Sequence, residues 1–179
     1  MSNVTVSTAS QGESGLSPKD VLLVPKLRKA GILMPVRCIV AARKAKLPVS
    51  LAAALLLQES GGGRNVFGHD PTIFVGAGEV TKAKYLAYKN QRGKTRMQGV
   101  GPCQLTWWEL QDEADRSGGC WKPLVNMQLA FEHLAALVRR NGLHDGIRAY
   151  NGAGPAAEAY ARSVLERKAR IDAALGKST

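Results

Sequence analysis

The 179-residue sequence predicts a mainly α-helical domain, and three observations lead to that prediction. Apolar residues recur at helical spacing through residues 123–141. Residues 48–57 carry no charge, are almost wholly aliphatic and precede Gln-Glu-Ser and three glycines, as expected of a buried helix and its end. Only residues 65–78 and 91–104 lack a helical period. The first of these segments predicts a loop with a short strand at 72–75, and the second an irregular loop or small β-hairpin.

The predicted helices follow the chain in order. A helix over residues 20–30 is ended by Gly31, and the next, over residues 35–46, has proline at its first turn. The apolar helix opens at Pro48 or Ser50, and Ser50 is a possible N-terminal cap. The remaining helices are predicted over residues 79–90, 106–117, 123–141, 144–150 and 155–175.

The composition indicates one domain that is long enough to bury a core. Residues 1–16 are rich in Ser and Thr, and we expect them to be a flexible lead-in to a single domain over residues 17–179. The lead-in has neither the basic start nor the apolar stretch of a secretory signal. No apolar run approaches the length of a membrane span, so no membrane insertion is expected.

The charge is strongly unbalanced, with a formal net charge of +11. Residues 21–58 contain no Asp or Glu, while seven basic residues fall there: Lys26, Arg28, Lys29, Arg37, Arg43, Lys44 and Lys46. A second basic cluster closes the chain: Arg162, Arg167, Lys168, Arg170 and Lys177. A positive field concentrates polyanions, which include nucleic acid, anionic lipid and the acidic polymers of a bacterial envelope. Charge alone does not choose among these partners.

The three cysteines and three histidines do not predict a metal site. Cys103 and Cys120 flank the predicted helix 106–117, and a disulfide between them would require the chain to fold back after that helix. Buried free thiols are the alternative. No cysteine pair has the spacing of a zinc site, and the histidines are expected at surface or core positions: His69, His133 and His144. Neither a metal nor an organic cofactor is expected.

Glu59 is the most informative residue, because it lies where the apolar helix ends and a glycine-rich loop begins. Desolvation by the neighbouring leucines and the negative end of the helix dipole both disfavour a charged carboxylate there. A carboxylic acid that stays neutral near pH 7 can protonate a leaving group, as the general acid of glycoside cleavage does. The alternative is an ordinary helix-end glutamate whose head reaches water.

Three short motifs lie in order along the chain, at residues 59–62, 99–106 and 149–152. The amide of Gln104 offers both a donor and an acceptor, which suits sugar hydroxyls. Tyr150 ends a predicted helix, and its phenol could meet the head of Glu59. Asn151 and Gly152 favour a tight turn, which would let the Asn151 amide face the same cleft.

Together these motifs resemble the lysozyme-like superfamily, specifically the branch of soluble lytic transglycosylases and goose-type lysozymes. That branch carries a Glu-Ser helix end, a Gly-Leu-Met-Gln-type loop and an Ala-Tyr-Asn motif in this order, and the resemblance covers about residues 50–161. This sequence departs from it at Pro102 and Cys103, which replace the middle residues of the loop motif. An insertion over about residues 71–98 also lengthens the spacing between the first two motifs.

The resemblance implies a helical, lysozyme-like fold and a role for each matched residue. Glu59 matches the catalytic acid, and Gln104 matches the loop glutamine that binds substrate. Tyr150 matches the tyrosine that positions the acid, and Asn151 the asparagine beside it. Ser60, which follows the acid, is placed with the substrate-binding residues.

A second carboxylate is needed only if water captures the sugar, because a lytic transglycosylase uses the sugar's own 6-hydroxyl. Asp70 is similar in placement to the water-positioning aspartate of goose-type lysozymes, and it is the predicted second catalytic residue. Its alternative is a turn residue before proline. Glu79 is the next candidate, and its alternative is a stabilising acid in the first turn of a helix.

Two adjacent tryptophans, Trp107 and Trp108, open the helix after the second motif. Aromatic faces stack on sugar rings, so one of the two could line a subsite. At helical spacing one of two neighbouring tryptophans is usually core. We therefore expect one in the core and leave the other open.

The resemblance extends to endolysin domains of phages that infect mycobacteria and related actinobacteria. It implies a monomeric muramidase that cuts the β-1,4 bond from N-acetylmuramic acid to N-acetylglucosamine in peptidoglycan glycan strands, by lytic transglycosylation or hydrolysis. Such an enzyme is made in the host cytoplasm without a signal peptide and reaches the cell wall through holin pores. The alternative is a non-catalytic basic module that binds nucleic acid or the anionic envelope. Nucleic acid is the less expected partner, because the aromatic residues are not interleaved with the basic ones.

Overall fold

The computed structural model describes residues 16–68, 78–94 and 97–176. In these ranges the chain is mainly helical, which confirms the predicted class. No β-strand occurs there; three isolated antiparallel bridges join Val66 to Glu79, Phe67 to Val100, and Val100 to Leu105. The helices are α1 Pro18–Val21, α2 Leu23–Lys29, α3 Pro35–Lys44, α4 Val49–Ser60, α5 Lys82–Lys89, α6 Trp108–Arg116, α7 Pro123–Asn141, α8 Leu143–Asn151 and α9 Pro155–Leu175.

Helix α4 lies at the centre of the core. Its residues from Val49 to Leu56 are all buried, because an uncharged aliphatic helix gains most by removing its whole circumference from water. Helices α3 and α9 pack directly against α4, and α7 packs against α3 and α8. Among the described helices, none combines the length and the apolar character needed to cross a membrane.

The C-terminus of α4 is fixed by three glycines with positive φ angles, and at Gly62 there is no room for a side chain. Gly61 takes the left-handed conformation at φ 61°, and the N–H of Gly62 donates to the carbonyl of Leu56 over 2.9 Å. A Cβ at Gly62 would lie 2.1 Å from the carbonyl oxygen of Gly31. The three glycines therefore end α4, as predicted. They also let the end of this helix lie against the turn before α3.

The second irregular segment is fastened to α7 by one buried side chain. Val100 and Leu105 exchange two backbone hydrogen bonds of 3.1 and 3.0 Å, which closes a tight loop. Asn126 on α7 accepts from the N–H of Cys103 over 3.0 Å and donates to the carbonyl of Val100 over 2.8 Å. The predicted hairpin appears in the described residues only as isolated bridges.

Several predicted elements differ from the structure. The helix predicted over residues 20–30 is two helices, α1 and α2, with the break at Leu22. Ser50 is not a cap, because Pro48 precedes the helix and Ser50 is buried in its first turn. Helix α5 begins at Lys82, where the Thr81 side chain caps it.

The boundaries of the other helices agree closely with the predicted ones. Two further predictions fall on residues that the structure does not describe. Helices α7 and α9 have the predicted bounds, and α6 and α8 differ from them by one or two residues at each end. The predicted strand over residues 72–75 lies outside the described residues, as do residues 1–15 of the predicted lead-in.

All three cysteines are free and buried: Cys38, Cys103 and Cys120. The backbone N–H of Cys103 and the sulfur of Cys120 both contact the side chain of Asn126, at 3.0 and 3.7 Å respectively. Burial raises the pKa of the Cys38 and Cys120 thiols to about 12. Free thiols, rather than a Cys103–Cys120 disulfide, are the state of this fold.

Candidate active site

Glu59 lies in the last turn of α4, with its carboxyl partly buried at the edge of the core. Burial raises the pKa of this carboxyl from its usual 4.5 to about 7, because the neighbouring apolar side chains cannot solvate the charge. The hydroxyl of Tyr160 donates to Glu59 Oε1 and opposes that shift. Desolvation is the larger effect, so near pH 7 a substantial fraction of Glu59 carries a proton.

The tyrosine that contacts the acid is Tyr160, whereas the sequence predicted Tyr150. Tyr150 lies close by, but its hydroxyl donates to the backbone carbonyl of Cys103 over 3.4 Å. Tyr160 belongs to α9, on the same face as the buried residues Ala157, Ala161 and Val164. This row of apolar residues on one face of α9 was the sequence signal that could have identified Tyr160, because that face packs on α4.

A cavity of about 250 Å³ opens beside Glu59, between the end of α4, the loop before α6, and helices α7 and α8. This volume lies just below the range of about 300–1,000 Å³ that is typical of small-molecule sites. Exposed residues on its rim connect it to solvent. Its walls are formed by Glu59, Met97, Gln104, Leu105, Thr106, Trp107, Leu110, His133, Tyr150 and Asn151.

Gln104 lines the cavity, but its amide is largely committed to the protein. It adopts a left-handed backbone conformation at φ 48°, and its Nε2 donates to the carbonyls of Val66 at 2.9 Å and Gly101 at 2.8 Å. Both amide hydrogens are therefore used, which leaves Oε1 as the free polar atom. Gln104 holds the loop together, and its predicted contact with a sugar would be limited to accepting hydrogen bonds.

Ser60 does not face the cavity. Its side chain is buried, and its Oγ donates to the carbonyl of Pro102 over 2.6 Å and accepts from the N–H of Gly63 over 3.1 Å. The predicted substrate-binding role of Ser60 is therefore wrong on geometric grounds. The residue instead ties the end of α4 to the loop that carries Gln104.

The second carboxylate is not found among the described walls of the cavity. Glu59 is the one carboxylate among the described residues that line it. Glu79 is exposed and lies before the first residue of α5. The predicted alternative, in which Glu79 is an acid in the first turn of that helix, is therefore wrong. Asp70 lies outside the described residues. No cluster of His, Cys, Asp or Glu that could hold a metal ion occurs in the part of the chain that the structure describes.

Of the two tryptophans and Asn151, Trp107 and Asn151 line the cavity and Trp108 does not. Trp107 is 60% exposed and lines the cavity, whereas Trp108 is partly buried with the Arg92 guanidinium 5.8 Å from its ring. Asn151 also lines the cavity, but as the last residue of α8 and not within a tight turn. Trp107 is therefore open to the cavity, but Trp108 is half-buried outside the core cluster, so the core tryptophan expected of this pair is not found.

His133 is a cavity residue that the sequence did not predict. It lies on α7 two turns after the buried Asn126, which holds the loop, and one turn after the buried Ala130. Residues at positions i, i+4 and i+7 share one face of a helix, so this spacing was the signal that placed His133 beside the loop.

Comparisons with known protein families, with curated proteins and with solved structures gave no match. The resemblance drawn from the three motifs therefore stays an expectation. A function has to be inferred from the geometry of the cavity and from the chemistry of its walls.

Proposed function

We propose that this protein cleaves peptidoglycan glycan strands at the β-1,4 bond from N-acetylmuramic acid to N-acetylglucosamine, with Glu59 as general acid. The observation that carries the proposal is the Glu59 carboxyl, whose pKa is raised to about 7, on the wall of a solvent-connected cavity. An acid that is protonated near neutral pH is what glycosidic bond cleavage requires. Trp107 supplies an exposed aromatic face beside it for a sugar ring.

The contact with Tyr160 defines how Glu59 would deliver its proton. Because the phenol donates to Oε1, the acid proton belongs on Oε2. Transfer of that proton to the glycosidic oxygen lets the bond to the anomeric carbon break, and its electron pair stays on the departing oxygen. The phenol then stabilises the carboxylate that remains, since a hydrogen bond to the charged form favours it.

The positively charged sugar is then captured either by water or by its own 6-hydroxyl. Among the described cavity residues only Glu59 is a carboxylate, which favours a route that needs no second one. Capture by the 6-hydroxyl gives a 1,6-anhydro product, and capture by water gives a reducing end. Asp70 stays the candidate for positioning water if the product is a reducing end.

The distribution of charge also fits a cell-wall substrate. The class of enzyme that we propose is an endolysin. All seven basic residues between positions 21 and 58 are exposed, and only Arg43 makes an ion pair with a described carboxylate, that of Asp20. A positive surface of this kind would hold the enzyme on an anionic envelope. Release from an infected mycobacterial cell through a holin pore is part of the same proposal.

Mass spectrometry of fragments released from purified mycobacterial peptidoglycan tests the proposal. We expect wild type to release disaccharide-containing fragments and Glu59→Gln to release none, since the amide keeps the shape of the acid without a transferable proton. Glu166→Gln is the matched control, because Glu166 is an exposed residue of α9 away from the cavity. Its digest should match that of wild type.

The masses also separate the two routes, and other outcomes would reject the proposal. Fragments lighter by one water at the muramic end would identify a transglycosylase, and full-mass reducing ends a hydrolase. No fragments from wild type, or equal fragments from Glu59→Gln, would contradict the proposed role of Glu59. The basic module would then replace it, and binding to nucleic acid that weakens steeply with added salt would support that alternative.

A further inference from the structure

Cleavage of a glycoside needs a proton acceptor as well as a proton donor. The described cavity residues that titrate are Glu59, Tyr150 and His133. Burial raises the pKa of the Tyr150 phenol well above its usual 10, so it stays protonated and cannot act as a base near neutrality. Glu59 begins the reaction protonated, so it can accept a proton only after it has given its own to the departing oxygen. That leaves the imidazole of His133.

We propose that His133 is the general base of this cavity, where its neutral imidazole takes the proton of the hydroxyl that attacks the sugar. The inference rests on the proposed function, because it completes the reaction that Glu59 begins. The attacking hydroxyl belongs either to water or to carbon 6 of the same sugar. In both cases it must lose its proton as its oxygen bonds to the anomeric carbon.

The position of His133 suits this role. The residue is partly buried on α7 and lines the cavity with Glu59. Its ring packs against that of Tyr150, with centroids 5.8 Å apart and an interplanar angle of 50°. Neither ring nitrogen has a hydrogen-bond partner among the described residues, so a lone pair is available to a ligand. Contact with the tilted Tyr150 ring thus helps to orient the imidazole, and no described residue occupies its nitrogens.

The surroundings of His133 keep it neutral where Glu59 is still protonated. Burial lowers the pKa of His133 below its usual 6.5, and the charge of Glu113 on α6 opposes that shift without reversing it. Tyr150 faces the ring from α8 as a neutral phenol, and Glu59 shares the cavity from α4. Burial thus shifts the two pKa values in opposite directions, lowering that of His133 and raising that of Glu59, which favours a neutral imidazole beside a protonated carboxyl.

The proposed step balances in protons and electrons. Glu59 gives its proton to the departing oxygen, which keeps the electron pair of the broken bond. His133 receives the proton of the attacking hydroxyl, whose oxygen forms the new bond to the anomeric carbon. The protein is left with an anionic Glu59 and a cationic His133, and transfer of one proton between them through the solvent of the cavity restores both.

The test is the pH dependence of turnover on purified peptidoglycan for wild type, His133→Asn and His144→Asn. Wild type should give a bell-shaped profile, with an acidic limb from His133 and a basic limb from Glu59 near pH 7. His133→Asn should lower kcat by about 10²–10⁴-fold and lose the acidic limb while keeping the basic one. His144 is the matched control, because it is an exposed histidine of α8 that pairs with Asp145 and Glu158.

Chemical rescue separates a base from a residue that only shapes the cavity. His133→Ala should regain part of its turnover when free imidazole is added, and circular dichroism should show that both variants are folded. A folded variant whose acidic limb is unchanged, or whose turnover does not respond to imidazole, would overturn the role of His133 and leave Glu59 intact. A wild-type protein that releases no fragments would overturn the proposed function itself, and this role with it.

Discussion

Glu59 experiences two opposing influences that act on its charge. The apolar end of α4 removes water from the carboxyl, and the Tyr160 phenol donates a hydrogen bond to it. The rise of the pKa from 4.5 to about 7 shows that desolvation is the larger. A shift of one pKa unit corresponds to about 1.4 kcal/mol, so the folded protein pays about 3 kcal/mol to ionise this side chain. The cost lies in the native state and not in the unfolded chain.

Glu59→Gln should therefore stabilise the protein in a pH-dependent manner. Between pH 4.5 and about 7 the folded state binds more protons at Glu59 than the unfolded state, so wild-type stability falls as pH rises through this window. The glutamine variant escapes that loss and can still accept from Tyr160. Urea unfolding should show it more stable than wild type by about 2–3 kcal/mol at about pH 8, and by much less at about pH 4.5. An equal difference at both pH values would show that Glu59 is not desolvated.

Tyr160→Phe should move the basic limb of the activity profile to higher pH. The phenol lowers the pKa of Glu59, so its removal leaves desolvation unopposed and keeps the acid protonated further into the alkaline range. Tyr150→Phe is the comparison, since the Tyr150 hydroxyl donates to the carbonyl of Cys103 and should leave the limb in place. A shift to lower pH in Tyr160→Phe would contradict the assigned direction of that hydrogen bond.

Among the elements, those set by local sequence were predicted best. Helices α7 and α9 have the predicted bounds because each begins at proline and keeps an apolar face at helical spacing along its length. Helix α4 ends at the predicted glycines because Gly61 and Gly62 adopt positive φ angles. Such signals act within a few residues, so a single sequence is enough to read them.

The residues of the site were harder to predict, because their roles depend on distant contacts. Glu59 and Tyr160 are 101 positions apart, and only the packing of α9 on α4 joins them. Ser60 and Gln104 carry polar groups that suit a ligand, but nearby backbone carbonyls take those groups first. Residue type and motif order were thus enough to locate the acid. The hydrogen-bond partners of each polar atom could be identified only from the folded structure.

Asn126 connects the loop at residues 97–107 to α7, and its loss should be costly at the level of whole elements. Asn126→Ala removes the acceptor of the Cys103 N–H and the donor to the Val100 carbonyl, both of which are buried. The Val100 carbonyl keeps the hydrogen bond from the Leu105 N–H, so the buried Cys103 N–H is the group that loses its partner. Such a loss costs about 1–3 kcal/mol, and unfolding in urea should show a decrease in stability of that size. Asn141→Ala, at the exposed end of the same helix, is the control and should change stability little. Equal stabilities for the two variants would show that Asn126 does not fasten the loop.

For the molecule as a whole, the uneven charge should govern how the protein reaches its substrate. The net charge is +11, and the acid-free run leaves Arg28 and Lys29 on α2 exposed and without an ion pair among the described residues. Long-range attraction to an anionic wall is screened by salt, since the Debye length falls from about 10 Å at 0.1 M to about 3 Å at 1 M. Digestion of intact cell walls should therefore slow as salt rises from about 0.1 M to about 1 M, while cleavage of short soluble glycan fragments, which lack the dense charge of the wall, should change less.

A pair of double variants with equal net charge shows whether the charge acts locally. Arg28→Gln with Lys29→Gln on α2, and Lys84→Gln with Lys94→Gln near α5, each reduce the charge from +11 to +9. If the acid-free run forms the contact with the wall, the α2 variant should bind walls more weakly in a sedimentation assay and depend less on salt, while the α5 variant stays near wild type. The reason is that each lost cation takes away an attraction to the wall. It also takes away the part of the salt dependence that arises when salt screens this attraction. Equal losses in both variants would mean that net charge alone draws the protein to the wall, and no loss in either would remove electrostatic attachment from the proposed function.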